Sequence, residues 1–447
     1  MEPNLQPTSF FEKLNDKISN SVSIKLASIG FLILILLIPG SMIQSLIYER
    51  ESLREQTIHE ISAKWGNEQT IVGPVLNIPF KKTVLNANGK PVISKEVMHI
   101  LPDQLGVKGD IKPEKRYRGI YEVVVYNSVL NFSGSFAAVT AENIGLTDAE
   151  ILWNEAFVSI GIPDMRGIKE NIELSWNGTK NVLNPGISTK DISESGVSCR
   201  VAVLPENATE PYKFSFSLNI NGSKNLNFIP LGKETKVAIT SDWKNPSFDG
   251  AFLPEERVVT DYGFSAEWKV LHLNRNYPQY WAGALHNVYD SSFGVNLLLP
   301  VDQYQKSMRS AKYAIMFISL TFLIFFFVEI LNRKRIHPFQ YILVGLALTL
   351  FYTLLVSLSE HIDFNLAYLI SCIGIIGMIT FYAASIFKDK LLTAILSLVL
   401  LVLYGFMFIT LQMQDYALLI GSIGLFAVLA TVMYLSKNIN WYNINRD

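Results

Sequence analysis

The chain has 447 residues, of which 49% are apolar and 17% charged, and a mean hydropathy of +0.26. A net charge of −1, without a basic stripe interleaved with aromatics, argues against a nucleic-acid-binding protein. Of the two cysteines, Cys199 lies in a polar region and Cys372 in an apolar run, which argues against a core stapled by an internal disulfide.

Residues Met1 to Ser23 are polar, with Lys13 and Lys17, and read as a short cytoplasmic tail. Ile24 to Ile47 is apolar and exceeds the roughly 20 residues that cross a bilayer core. A cleavable signal peptide is the competing reading; the length of the run and the lack of a small-x-small site after it favour an uncleaved anchor. Tyr48 to Trp65 predicts an amphipathic helix carrying Leu53, Ile58, Ile61 and Ala63. Gly73-Pro74 reads as a turn entering a strand.

From there to about Pro300 the texture is β. Phe214, Phe216, Leu218 and Ile220 alternate with Lys213, Ser215, Ser217 and Asn219, and Ile172, Leu174 and Trp176 repeat the period, as do Phe264, Ala266, Trp268 and Val270. Side chains of a strand point alternately to its two faces, so each run has one buried and one wet face. Asn88-Gly89, Asn177-Gly178 and Asn221-Gly222 predict hairpin turns, because both residues tolerate positive φ. The expected fold is an antiparallel, sandwich-like sheet domain. One helix is expected inside it, opened by a capping box of Thr147 and Glu150 and ended at Gly161, with a strand as the alternative reading. Acidic and basic residues nearly balance across the domain, which gives no polyanion surface but leaves room for a protein partner.

Five further apolar segments follow: Tyr313–Leu331, Gln340–Ser359, Leu366–Phe387, Leu391–Gln412 and Tyr416–Ser436. With the N-terminus inside, the inner loops hold Arg333, Lys334, Arg335, Lys388 and Lys390, and the outer loops hold Glu360, Asp363 and Asp415. That asymmetry follows the positive-inside rule. The expectation is therefore an α+β membrane protein with six transmembrane helices and a β-rich domain inserted between helices 1 and 2. Its parts are a tail at 1–23, helix 1 at 24–47, the domain at 48–310, a five-helix bundle at 311–436 and a tail at 437–447.

Unusual polar residues stand at fixed offsets across one of these spans: Arg335-Ile336-His337-Pro338-Phe339-Gln340-Tyr341, Gly345-Leu346-Ala347, Ser357-Leu358-Ser359-Glu360-His361 and Phe364-Asn365. The stretch resembles the signature of the CreD family of bacterial inner-membrane proteins, and the likeness runs over nearly the whole chain. It implies an inner-membrane protein with a periplasmic domain, tied to envelope integrity and to a regulon under a two-component sensor. The family has no established biochemical activity.

Within the domain, Asp164-Met165-Arg166-Gly167 resembles the family's Asp-x-Arg-Gly motif. A site is one reading; a turn in which Asp164 caps backbone N–H groups and Arg166 braces it is favoured, since Asp and Gly are ordinary turn residues. Ser241-Asp242-Trp243, Pro246-Ser247-Phe248-Asp249-Gly250 and Leu253-Pro254 resemble a second family segment. On an irregular loop, Trp243 and Phe248 could anchor a partner or turn inward to plug a sandwich end. Neither Ser241 nor Ser247 has the setting of a nucleophile. The histidines lack metal-ligand spacing, and Glu360, His361 and Asp363 read as interfacial caps. Glu329 is the deepest charge in a span, explained by an i,i+4 pair with Arg333.

These readings lead to an expected function without catalysis, cofactor or metal: support of envelope integrity through a domain that contacts an envelope protein or cell-wall component. The alternatives are a transporter or transport accessory using the helix bundle, and a periplasmic hydrolase using Asp164, Arg166 and Asp242.

Overall fold

A computed structural model describes residues 22–85, 91–147, 149–204, 210–298, 303–332, 334, 336–413 and 416–437. The chain separates into two compact units, one spanning Arg54–Pro300 and the other made of the segments before and after it.

The helical unit starts with α1 (Val22–Trp65), a single 44-residue helix whose last turns belong to the β unit. The anchor and the amphipathic stretch read separately from the sequence are thus one element. Next comes α2 (Gln303–Lys312), which lies inside the stretch expected to be β-rich but belongs to the helical unit. Its buried stripe of Tyr304, Ser307, Met308 and Ala311 was hidden by intervening Gln305, Lys306 and Arg309. Then follow α3 (Ala314–Leu331), α4 (Pro338–Ser359), α5 (Phe364–Phe387), α6 (Lys390–Gln412) and α7 (Ala417–Ser436). Among the described residues, α1 and α3 to α6 are five helices long and apolar enough to cross a membrane; in α7 the apolar stretch Leu419–Tyr434 is shorter.

The β unit has two sheets. The ten-stranded one is centred on β1 (Gln69–Leu85), which pairs antiparallel with β2 (Pro91–Ile100) and β6 (Phe157–Gly161) and parallel with β12 (Asn225–Phe228). The eight-stranded one is built on β3 (Gln104–Arg118), β4 (Tyr121–Phe136), β11 (Tyr212–Ser223), β13 (Glu234–Ser241) and β16 (Gly263–Leu271). Here β3 and β13 run parallel, so the expected purely antiparallel arrangement is corrected to a mixed one. Alternation does place Phe214, Phe216, Leu218 and Ile220 in the core. Residues of both sheets, such as Ile71 and Val158 in one and Val107 and Leu218 in the other, share one continuous apolar core. On β4, Val123 and Val125 form a second small cluster with Ile58, Ile61 and Trp65 of α1, while Leu53 stays exposed.

Three local expectations are corrected. Among the described residues of 147–161 no α-helix forms, only a 3₁₀ turn at Trp153–Glu155: Ile151 pairs with Phe80, and 157–161 is β6, buried between β1 and β10 (Gly196–Arg200). A continuous apolar run of that length suits a strand buried on both faces, and tertiary pairing overrides the cap signal. Gly73-Pro74 lies within β1, where the register shifts between Val72 and Val75. Asn221-Gly222 is strand, not turn: Asn221 pairs with Asn127, and a Cβ on Gly222 would meet the Tyr126 hydroxyl at 2.3 Å. Glycine there answers a close approach rather than a positive φ. Asn177-Gly178 does turn, with φ of 47° and 84°, between β7 (Glu173–Trp176) and β8 (Thr179–Val182). Asn88-Gly89 lies outside the described residues.

Candidate functional site

Asp164 sits before a 3₁₀ turn, Met165–Gly167, and both its carboxylate oxygens are committed. Oδ1 accepts from the Arg166 backbone N–H (3.1 Å) and Nε (2.8 Å); Oδ2 accepts from Arg166 Nη2 (2.8 Å) and the Asn67 N–H (2.9 Å). Gln69 Nε2 donates to Asp164 O and Asn221 O, and a Cβ on Gly167 would stand 2.3 Å from Asn221 O. The Arg166 guanidinium holds the Asp164 carboxyl below the usual range, against a smaller opposing effect of burial. The motif fastens the chain just after α1 to β11. It leads into a lone bridge between Ile168 and Ile220 rather than a strand.

The middle of the second segment is strand where an irregular loop was expected, while 242–245 and 251–254 are irregular. Pro246–Gly250 is β14, an edge strand paired with β18 (Phe293–Leu297), and Pro246 takes the first position, where a missing N–H is tolerated. Phe248 packs against Phe264 and Trp268 at 5.6 and 5.7 Å between ring centroids. The half-buried Trp243 donates Nε1 to the carbonyls of Asn245 and Leu298. Gly250 has φ +105° and no room for a Cβ, with Ser292 O at 2.2 Å from that position. Leu253 is 67% exposed, Asp242 is exposed, and Pro254 is half-buried. No hydrogen bond or ion pair joins Asp242 to Asp164 or Arg166 among the described residues.

In the helical unit the signature residues sit at helix ends and close approaches. Arg335 and Arg333 lie outside the described residues. His337 caps α4 through Nδ1, which accepts from the Phe339 N–H (3.2 Å), while Gln340 Oε1 accepts from the His337 N–H (3.0 Å) and Pro338 opens the helix. A Cβ on Gly345 would meet Leu36 Cδ1 at 2.2 Å and Phe322 Cζ at 2.9 Å. Glu360 ends α4 and accepts from the Tyr304 hydroxyl of α2 (3.0 Å), with Arg50 Nε of α1 at 3.9 Å. His361 is exposed, Asp363 caps α5, and Asn365 accepts from Gln412 at the end of α6.

Sequence reasoning missed two polar clusters. The 4%-exposed Glu329 is bonded by Lys25 Nζ of α1 (2.6 Å), the Tyr341 hydroxyl (3.2 Å) and the Ile336 N–H (3.2 Å). Lys25 stands 304 positions away, a pairing no sequence spacing discloses; the expected partner Arg333 lies outside the described residues. In the β unit, the fully buried His99 of β2 bridges Asn77 Oδ1 (Nδ1, 2.7 Å) and Asp191 Oδ2 (Nε2, 3.0 Å). Alternation along β2 gave no signal, because His99 is buried together with both its neighbours, Met98 and Ile100. Among the described residues no group of three or more His, Cys, Asp or Glu is placed to hold a metal. Burial pushes the Cys199 thiol up to about 11, out of the reactive range.

A set of long apolar helices following a large β-rich unit defines a polytopic membrane protein, with polar groups gathered at its helix ends. Residues 21–442 match the family model described as inner membrane protein CreD. The chain is 34% identical over 426 residues to the inner membrane protein CreD of Escherichia coli strain K12, covering 94% of this chain and 93% of that one. It belongs to the CreD family of inner-membrane proteins.

Proposed function

We propose that the chain supports cell-envelope integrity or the envelope-stress response by contact rather than catalysis, using its β-rich unit in the periplasm. The observation that carries this reading is the commitment of Asp164, Trp243 and Phe248 to their own fold, which leaves no set of motif groups aimed at a common point. A unit of this size without such a set serves recognition, and the exposed Leu253 beside β14 is an apolar contact on its surface. The partner is an envelope protein or a cell-wall component.

The topology has α7 as a sixth span and both termini in the cytoplasm. Lys334, Lys388 and Lys390 then stand on the inner side, and Glu360 and Asp363 on the outer. The transporter alternative has less support. A groove of about 890 Å³ between α5 and α6 is walled mainly by apolar residues such as Leu366, Leu369, Ile373 and Leu401, where a solute path needs polar lining. The hydrolase alternative also has less support: Asp164 is bonded to Arg166 and Asn67, and no hydrogen bond or ion pair joins that pair to the exposed Asp242 among the described residues.

In-cell crosslinking from a photoreactive residue at Leu253, with a deletion strain challenged by β-lactam and envelope stress, tests the reading. Reproducible capture of one envelope component, together with a stress phenotype rescued by the full chain, is the expected result. A deletion strain indistinguishable from its parent under stress would overturn the role.

A further inference from the structure

The segment 186–195, which joins β9 (Asn184–Pro185) to β10, lies as a strap over His99. The orientation of Asn77 decides which protons the ring must carry. Asn77 Nδ2 faces the Val75 carbonyl (3.0 Å) and Ser159 Oγ (2.8 Å), so its Oδ1 is the atom left for His99 Nδ1, and an amide oxygen only accepts. Nδ1 therefore carries hydrogen. Nε2 faces Asp191 Oδ2, a carboxylate oxygen that also accepts, so the contact needs a second hydrogen. A neutral ring has only one; with Nδ1 protonated, its Nε2 lone pair would point at a carboxylate 3.0 Å away.

We propose that His99 and Asp191 form a proton-operated latch: uptake of one proton by His99 fastens the 186–195 strap onto the sheet through Asp191, and loss of that proton releases it. Asp191 makes no other side-chain hydrogen bond or ion pair among the described residues, so it is the strap's own acid tie. The strap's carboxyl end is held separately, by Ser193 Oγ to Ser195 O and by the Tyr289 hydroxyl to Ser193 Oγ. At the amino end Gly186 donates its N–H to Gly196 O (2.9 Å) and accepts from Ser198 Oγ (2.7 Å), so release frees the middle, 187–192, without unravelling the unit.

The direction follows from what surrounds the ring. β1 and β6 bring Asn77 and Ser159, neither of which titrates. β17 (Tyr280–Ala282) brings the Trp281 ring, 5.8 Å from the imidazole, and that ring also packs against His286 at 5.3 Å. Lys190 and Glu194 are exposed on the strap, leaving Asp191 as the charge that faces His99. Lifting the strap removes that carboxylate together with Ile187, Thr189 and Ile192, which line the same space. The Nε2–Asp191 contact exists only with the strap closed and needs the second hydrogen, so closure favours the protonated ring and acidification favours closure. Burial, outweighing Asp191, lowers the pKa of His99, which puts the transition on the acid side of the ordinary imidazole value.

Hydrogen–deuterium exchange of the full-length protein in detergent tests the latch, with protection corrected for intrinsic exchange and compared at about pH 5 and about pH 8. The amides of 187–192 should gain protection at acid pH, up to roughly tenfold if strap closure raises the affinity by one pKa unit. Amides of β4 and β11 report whether the unit as a whole has loosened. Asp191→Asn, on the half-buried strap, and His99→Gln, which keeps a neutral donor, should each abolish the pH response with β4 and β11 still protected. A wild-type strap equally or less protected at acid pH, with β4 and β11 unchanged, overturns the proposal. So does a pH response that persists in Asp191→Asn.

Discussion

Lys25 Nζ and Glu329 Oε1 are 2.6 Å apart, joining α1 to the end of α3, and their burial is unequal: 20% of the lysine side chain is exposed and 4% of the glutamate. The inequality sets an order. Lys25→Met leaves Glu329 as a buried charge held, among the described residues, by Tyr341 and the Ile336 amide, which costs about 3–5 kcal/mol. Glu329→Gln costs less, because the lysine stem extends its ammonium to water. Lys25→Met with Glu329→Met should be more stable than Lys25→Met alone. Thermal denaturation in detergent measures all three, and equal losses for the two single variants would contradict the assignment.

Gly345 lets α4 approach Leu36 of α1 and Phe322 of α3. Gly345→Ala overpacks that junction and costs about 1–3 kcal/mol. Adding Leu36→Ala opens the space that the new methyl needs, so the pair should couple favourably in a double-mutant cycle. Strict additivity would place the strain elsewhere.

Asp164 makes the β unit sensitive to acid in a defined direction. Its folded pKa is depressed by Arg166, so its contribution is present above the unfolded carboxylate value of about 3.9 and lost as pH falls through the folded value. Denaturant unfolding from about pH 5 to about pH 2 should show a shallower acid loss in Asp164→Asn than in wild type. Arg166→Ala costs only about 0.2–1 kcal/mol at neutral pH, because 59% of the arginine side chain is exposed. Asp164→Ala costs about 1–2 kcal/mol, because it strips the cap from two N–H groups.

Gly222→Ala should destabilise the β unit more than Gly178→Ala. The first drives a methyl into the buried Tyr126 ring, whereas the second meets open space and bears only the strain of φ 84°. Chemical denaturation of both variants settles the order, and a larger loss for Gly178→Ala would refute it.

The same two Asn-Gly pairs mark how far the sequence could be read. Composition and period disclosed the apolar helices and the alternating strands, since burial on one face writes itself into every second residue. Turn chemistry is local and does not distinguish a glycine needed for positive φ, as at Gly178, from one needed for a crowded neighbour, as at Gly222. The segment 157–161 shows the same limit: its apolar run suited helix or strand until β1 and β10 supplied partners on both sides. In the motifs, the residues stood out but their bonding did not. Asp164 reaches Asn67 across 97 positions, and Glu329 reaches Lys25 across 304. Such distances are set by topology, which no short window contains.

β1 has a bearing on how the protein is made. Its ladder is completed by β6 and by β12, and β12 is in turn flanked by β18 at Phe293–Leu297, close to the end of the unit. The strand that leaves the ribosome first therefore waits for partners synthesised much later, and such long-range pairing is slow. Until then its unpaired edge is a template for any passing strand. A chain interrupted before Phe293 should aggregate rather than yield a smaller folded piece, and the nascent segment must be kept from its neighbours until the last strand arrives.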